Sequence, residues 1–337
     1  MNKKLIALAV AGACVAPAAM AQTANPVTLY GRVHVTLESI EAKGSAPLTR
    51  RSRLEDQASL LGVRGTEDLG GGLKAFFQLE TAFRPDQAGT TFANRNSGIG
   101  LQGSWGSFLM GRWDTPFKVV TGAIDPFGDV TIAGITQANN DQSNFDRRDA
   151  NVLQYWSPSW AGFAVRLSRQ VNEGKTATLN PYNQGASVTF SRGPAYAFLT
   201  WEEHKDVSAT VPKEEGVALG GTFAFGPVKI GGTAQEYKKT GRTKKKSYLA
   251  NVVFTAGNNQ FIYQFQQAKD GGAPDTSQPD CDSNTIGYQY NFSRRTFMQA
   301  LYTKVDNNDA AACGSGQFGI TAGADPQGLS LGLRHVF

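Results

Sequence analysis

The stretch Val27-Thr28-Leu29-Tyr30-Gly31-Arg32-Val33-His34-Val35-Thr36-Leu37-Glu38 alternates without a break. Val27, Leu29, Gly31, Val33, Val35 and Leu37 fall on one parity, and Thr28, Tyr30, Arg32, His34, Thr36 and Glu38 on the other. Successive side chains of a strand point to opposite faces, so one face is apolar or small and the other polar. About twelve residues is the length a tilted strand needs to cross a bilayer. The end of the chain repeats the pattern, with Leu329, Leu331, Leu333, His335 and Phe337 alternating with Ser330, Gly332, Arg334 and Val336. A chain that begins and ends in matching strands can close its sheet on itself.

Outward from that strand the same period recurs. Leu73, Ala75, Phe77, Leu79, Thr81 and Phe83 face away from Lys74, Phe76, Gln78 and Glu80, and Phe163, Val165 and Leu167 face away from Arg166, Ser168 and Gln170. Further strands read near 217 to 225, 228 to 236, 247 to 255, 260 to 267 and 285 to 292, none with a helical period.

The connections fall into two alternating classes. Short turns rich in Gly, Pro, Asn and Asp lie at Glu67 to Gly72, Trp105-Gly106-Ser107, Pro158 to Gly162, Arg192-Gly193-Pro194, Gly226-Pro227, Gly257-Asn258-Asn259 and Phe292 to Arg295. Long polar connections intervene at about 41 to 56, 84 to 94, 114 to 146, 171 to 182, 204 to 215, 237 to 246, 268 to 284 and 305 to 326. Seven short turns and eight long connections predict an all-β fold, a sixteen-stranded antiparallel transmembrane β-barrel with both termini on the short-turn side. In hydrocarbon an open sheet edge would leave backbone N–H and C=O groups unpaired at several kcal/mol each, so such a sheet closes. A large soluble β-sandwich or solenoid also alternates, but it gives no reason for the last strand to end in an aromatic carboxyl-terminal residue.

Met1-Asn2-Lys3-Lys4 precedes the apolar run Leu5 to Ala13 and the triplet Ala19-Met20-Ala21. This reads as a signal peptide over residues 1–21 with cleavage after Ala21, leaving a barrel of residues 22–337 that starts at Gln22. A lipoprotein signal at Cys14 fits less well, because Ala11 stands where a bulky aliphatic belongs. Cys281 and Cys313 are the cysteines that remain after cleavage, and in an oxidising compartment a disulfide between them is the simplest expectation. No His lies near either in sequence, so no metal or other cofactor is implied. Removing Lys3 and Lys4 lowers the net charge from +5 to +3, which does not argue for a nucleic-acid binder. A mean hydropathy of −0.31 is what a barrel enclosing water should show, since apolar residues are needed only at alternate positions.

The residues now on the page resemble a known family. The strand Val27 to Gly31, the block Gly62-Val63-Arg64-Gly65-Thr66-Glu67-Asp68-Leu69-Gly70-Gly71-Gly72-Leu73-Lys74-Ala75, the segment Gly106 to Arg112 and the ending Gly332-Leu333-Arg334-His335-Val336-Phe337 are similar to the trimeric general porins of β-proteobacteria. The resemblance implies an outer-membrane general diffusion porin passing small hydrophilic solutes and ions, three copies per assembly, and a third loop folded into each lumen. It also implies that the barrel-insertion machinery reads Phe337 as an assembly signal. The third long connection, 114 to 146, is the longest, and it carries Asp125-Pro126-Phe127-Gly128-Asp129.

Selectivity in such a channel comes from charged side chains in a space too narrow for full screening. An arginine cluster would favour anions, because Arg stays charged at any working pH and can hold a carboxylate or phosphate with two bonds. The resemblance carries this role to Arg95 and Arg148, opposed by Glu80 and Asp125. Arg148 shares parity with Gln154, which argues for a lumen direction, and Arg112 is a further candidate for the pore constriction. Leu60 stands where the family has a strand-two arginine, with Arg53 or Arg64 as possible substitutes, so anion preference weaker than in members with the full cluster is expected. Strict alternation puts Arg95 with Ile99 and Leu101, so it reaches the lumen only through a bulge or loop. For each arginine the plainer reading is an ion pair that holds the barrel's shape.

The basic run Lys238, Lys239, Arg242, Lys244, Lys245 and Lys246 falls in a long connection and reads as a solvated loop, or as a surface for lipopolysaccharide head groups. Among other functions, an enzyme has little support. The three histidines His34, His204 and His335 come with no Gly-x-Ser-x-Gly motif and no metal-ligand spacing. A substrate-specific sugar or organic-anion channel remains the alternative; it would need an aromatic track, for which Tyr30, Phe76 and Trp156 are the candidates.

Overall fold

The structure, a computed structural model, describes residues 27–87, 89, 91–128, 131–134, 145–241, 244–270 and 280–337. The expected signal peptide and Gln22, together with Asp129 and Arg242, lie outside the described residues. Seventeen strand segments appear among them: β1 (Thr28–Gly44), β2 (Leu48–Asp56), β3 (Leu60–Gly70), β4 (Leu73–Ala82), β5 (Ser97–Gly103), β6 (Gly106–Asp114), β7 (Arg148–Trp156), β8 (Phe163–Gln170), β9 (Tyr182–Arg192), β10 (Ala195–Ser208), β11 (Val211–Phe225), β12 (Val228–Lys239), β13 (Lys245–Ala256), β14 (Asn259–Asp270), β15 (Cys281–Asn291), β16 (Thr296–Asn307) and β17 (Ala324–Val336). Two short helices accompany them, α1 (Pro116–Gly122) after β6 and α2 (Ser315–Phe318) after β16.

The segments close as sixteen staves, because β2 and β3 are halves of one strand. β1 pairs with β2 through Val35 to Ala42 and with β3 through Thr28 to Arg32. The break between the halves holds Ala58 at φ 57°. Every other neighbour is the next strand in sequence, antiparallel, and β1 pairs with β17 from Arg32↔Val336 to Gly44↔Ala324. The ring closes through β1 and β17, as the bilayer demands of backbone polar groups at its depth.

Alternation along the strands sorts side chains by chemistry. On β1, Leu29 and Leu37 are exposed while His34, Thr36 and Glu38 are buried; on β17, Leu329, Leu331 and Leu333 are exposed while Ser330 is buried. In a closed barrel the exposed apolar face is the outer one, and the shielded polar face lines the interior. Phe76 and Trp156 belong to the interior set, packed with Leu109, Trp113 and Val152.

Three expected loops are shorter than the sequence suggested. β10 runs to Ser208 and β11 starts at Val211, so the polar stretch 204 to 215 is mostly paired strand. β1 extends to Gly44 and β2 begins at Leu48, which removes most of the loop at 41 to 56. In the basic run, Lys238 and Lys239 end β12 and Lys245 and Lys246 begin β13. Lys239 pairs with Glu214 at 2.7 Å and Lys245 is fully buried, so these two are not solvated, whereas Lys238, Lys244 and Lys246 are exposed and Lys244 pairs with Glu236 at 2.6 Å. The cause is that hairpins beyond the hydrocarbon keep their ladder without an apolar face, and a polar stretch there looks like a loop.

Candidate functional site

The candidate residues are positioned by the strand ends next to the longest connection. Arg95 lies just before β5, where Ala93 adopts φ 56°, and this irregularity frees it from the parity of Ile99 and Leu101. Its Nε meets Glu80 Oε1 at 2.7 Å, and the Tyr30 hydroxyl donates to Glu80 Oε2 at 3.2 Å. Arg148 opens β7, pairs with Asp114 Oδ1 at 2.9 Å and donates from Nε to Asn96 Oδ1 at 2.6 Å. Asn96 in turn donates to Asp114 Oδ2 at 2.8 Å. Arg95 and Glu80 lie within electrostatic reach of Arg148, so these charges form one group of two arginines and two acids.

Strand parity places two of the arginines away from the side of Gln154. Between Gly111↔Val152 and Trp113↔Asp149, β6 advances two residues while β7 advances three, with Asn151 at φ 56°. Past this bulge it is Asp149, 3% exposed, that shares the side of Val152 and Gln154, and Arg148 takes the other parity. Arg112 shares its parity with Phe108 and Met110, which are exposed, whereas Leu109 and Trp113 are buried. Its Nε donates to the Asn94 carbonyl at 3.0 Å, and the structure does not join it to the Arg95 and Arg148 group.

Asp125 sits elsewhere. It lines a cavity of about 270 Å³ with Arg32, His34, Gln57, Phe127, Phe297 and Arg334, and its Oδ1 accepts from the Phe127 amide at 2.9 Å. Leu60 is buried at the start of β3. Of the two residues offered as substitutes, Arg53 pairs with Glu38 at 2.6 Å, and Arg64 lies over the Tyr30 ring at 5.0 Å.

Described residues between β6 and β7 meet side chains of the wall strands. Asn251 Nδ2 donates to Ile124 O at 2.8 Å, and Gln264 and Gln266 both donate to Ala133 O, at 2.8 and 2.9 Å. Phe127 and Ile132 share a buried cluster with Ile262 and Leu301. Phe117, Val120 and Ile124 share another with Phe145, Phe198 and Tyr237. Phe145 stacks on His204 at 4.4 Å between ring centres, and that imidazole meets Glu202 Oε1 at 2.7 Å and Glu214 Oε2 at 3.3 Å.

Sequence reasoning overlooked Asp114, Arg166 and Arg334. Arg166, opposite Trp156 and Ser187 on the interior side, lies 4.9 Å over the Trp156 ring. Arg334, opposite His34, lies 5.4 Å from the Phe297 ring centre. Neither has a carboxylate partner among the described residues. Both stand on the polar parity of strands already read correctly, so alternation was the signal that could have found them.

Cys281 and Cys313 are bonded to each other, with Cα atoms 6.3 Å apart, joining the first residue of β15 to the connection after β16. No group of three or more potential metal ligands occurs among the described residues.

A closed antiparallel barrel with a polar interior is the architecture of a channel, and known proteins share it. The profile of the Gram-negative porin family matches residues 7–310. Outer membrane porin protein 32 of Delftia acidovorans is 31% identical over 364 residues, with all of both chains covered. The solved anion-selective porin from Comamonas acidovorans superposes with a TM-score of 0.80 at 26% identity, covering 93% of this chain and 100% of that one. OmpT of Vibrio cholerae in its trimer form superposes with a TM-score of 0.70 over 93% of this chain and 100% of that one, and at 16% identity it bears on the fold alone. The chain belongs to the Gram-negative porins and is a sixteen-stranded barrel of the outer membrane.

Proposed function

We propose that this porin is a general diffusion channel for small hydrophilic solutes, assembled as a homotrimer, in which the segment between β6 and β7 folds into each lumen and narrows it. The packing of Phe127 and Ile132 on Ile262 and Leu301 carries this reading. Those two strand residues are apolar on the shielded side of β14 and β16, and covering them removes apolar surface from water at roughly 25 cal/mol per Å². The triplet Ala19-Met20-Ala21 supports cleavage after Ala21, and the resemblance to the porins supports reading of Phe337 by the insertion machinery.

The channel prefers anions. The Comamonas acidovorans relative, an anion-selective porin, supports the sign. In this chain Arg95 and Arg148 are each matched by an acid, Glu80 and Asp114, while Arg166 and Arg334 carry interior positive charge without a carboxylate partner among the described residues. Arg166 and Arg334 therefore set most of the preference, and Arg95 and Arg148 a smaller part. The test is the reversal potential of a planar bilayer under a KCl gradient. Anion selectivity that falls in R166Q/R334Q more than in R95A/R148A supports the assignment, and cation selectivity of the wild type defeats it.

A further inference from the structure

Both nitrogens of the His204 imidazole meet carboxylates. Nε2 lies 2.7 Å from Glu202 Oε1, and Nδ1 lies 3.3 Å from Glu214 Oε2. His204 and Glu202 are each 1% exposed, and Glu214 is buried beside them. A neutral imidazole donates through one nitrogen only, whereas the protonated ring donates through both. The cation is therefore the state that satisfies two ionised carboxylates at once.

The charges around the ring lead to the same state. Glu214 also takes Lys239 of β12 at 2.7 Å, and Arg147, just ahead of β7, pairs with Asp149 at 2.5 Å within electrostatic reach of the site. Asn183 of β9, opposite His204 in the ladder, donates to Asp149 at 3.1 Å, and the Thr115 hydroxyl at the start of α1 lies by Glu202. Lys118 and Asp146 pair with each other at 2.8 Å and add no net charge. Three carboxylates, Glu202, Glu214 and Asp149, thus face two fixed cations, Lys239 and Arg147, and a proton on His204 brings the group to neutrality. Without that proton one negative charge stays uncompensated among buried side chains, which is costly.

On this group rests the end of the segment that leads into β7. The Phe145 ring stacks on His204 at 4.4 Å between centres with 19° between planes, and it also meets Tyr237 at 5.2 Å and Phe117 of α1 at 5.4 Å. An aromatic face attracts a cation, so the protonated imidazole holds the ring more firmly than the neutral one. We infer that His204 is a positioning residue of the channel: as a cation between Glu202 and Glu214 it anchors Phe145, and through Phe145 and Phe117 it sets how closely the segment between β6 and β7 lies against the wall. The inference rests on the reading that this segment narrows the lumen. As pH rises the proton leaves, the anchor is lost and the conductance changes.

The experiment is single-channel recording of the purified protein in planar bilayers, in symmetric KCl, from about pH 5 to pH 9, a span that brackets the ordinary imidazole range. The wild type should show one step of conductance with pH, with noisier openings on the alkaline side. His204→Gln should show the alkaline behaviour at every pH. His204→Lys, a fixed cation over that span, should show the acid behaviour, and both variants should keep the heat-modifiable mobility of a folded barrel. His34→Gln, at the other buried histidine, should leave the step in place. A wild type without a pH step overturns the inference, as does a step that survives in either His204 variant or vanishes in His34→Gln. Silent bilayers with folded protein inserted would defeat the channel reading instead, so the two failures are told apart.

Discussion

Gly31 and Phe337 exchange both backbone hydrogen bonds, each at 3.0 Å, and the Phe337 ring occupies the space above Gly31 where a side chain would stand. The last residue thus completes the seam between the first and last strands. A Cβ on Gly31 would sit 2.6 Å from Phe337 Cζ and 2.6 Å from Leu60 O. Gly31→Val is expected to weaken closure by about 1–3 kcal/mol, the usual range for overpacking. The check is the temperature at which the folded band of an unboiled electrophoresis sample converts to the unfolded one. An unchanged temperature would mean that the seam tolerates the clash.

The bond between Cys281 and Cys313 ties the head of β15 to the connection beyond β16, across 32 residues, inside a cluster with Ile40, Val305 and Phe318. Reduction, or Cys281→Ser with Cys313→Ser, should cost about 2–4 kcal/mol through freedom returned to the unfolded chain. Thermal unfolding with and without reductant measures it, and the double variant should no longer respond to reductant. A response that persists in the double variant would place the effect elsewhere.

Gly216 lets the Phe145 ring lie against the wall, for a Cβ there would meet Phe145 Cδ1 at 2.9 Å. Gly216→Val should push the ring off His204 and loosen the segment between β6 and β7. Single-channel conductance is then expected to change or to become noisy while the barrel remains folded. Conductance identical to the wild type would separate that segment from the pore's narrowest part.

Alternation made the bilayer-spanning halves of the strands legible, as in β1 and β17, because lipid imposes a chemical difference between parities only at that depth. Outside it nothing marks a strand: the hairpin turning between Ser208 and Val211 reads as polar loop. Parity also carries no warning of a bulge. One extra residue at Asn151 moves Arg148 off the side of Gln154, where the backbone departs from regularity. On β6 Leu109 and Trp113 alternate with Arg112, and the apolar side is here the buried one. Pairings across strands, such as Arg148 with Asp114 and Asn96, depend on register that no single strand displays.

Glu80 neutralises Arg95 at 2.7 Å, with the two side chains only 10% and 20% exposed. Glu80→Gln keeps the shape and the Tyr30 contact while removing the charge. The ratio of chloride to potassium permeability should rise, by more at low salt than at high, since screening extends over roughly 10 Å at 0.1 M and much less at 1 M. A ratio that stays the same would show that this pair does not face the permeating ions.

The ring of sixteen staves around water is tested most directly by the current through purified protein added to a planar lipid bilayer. Discrete steps whose conductance grows in proportion to the conductivity of the KCl bath are predicted, because ions cross in the solvent that fills the barrel. A bilayer that stays silent with folded protein inserted, or steps that do not scale with the bath, would contradict the account.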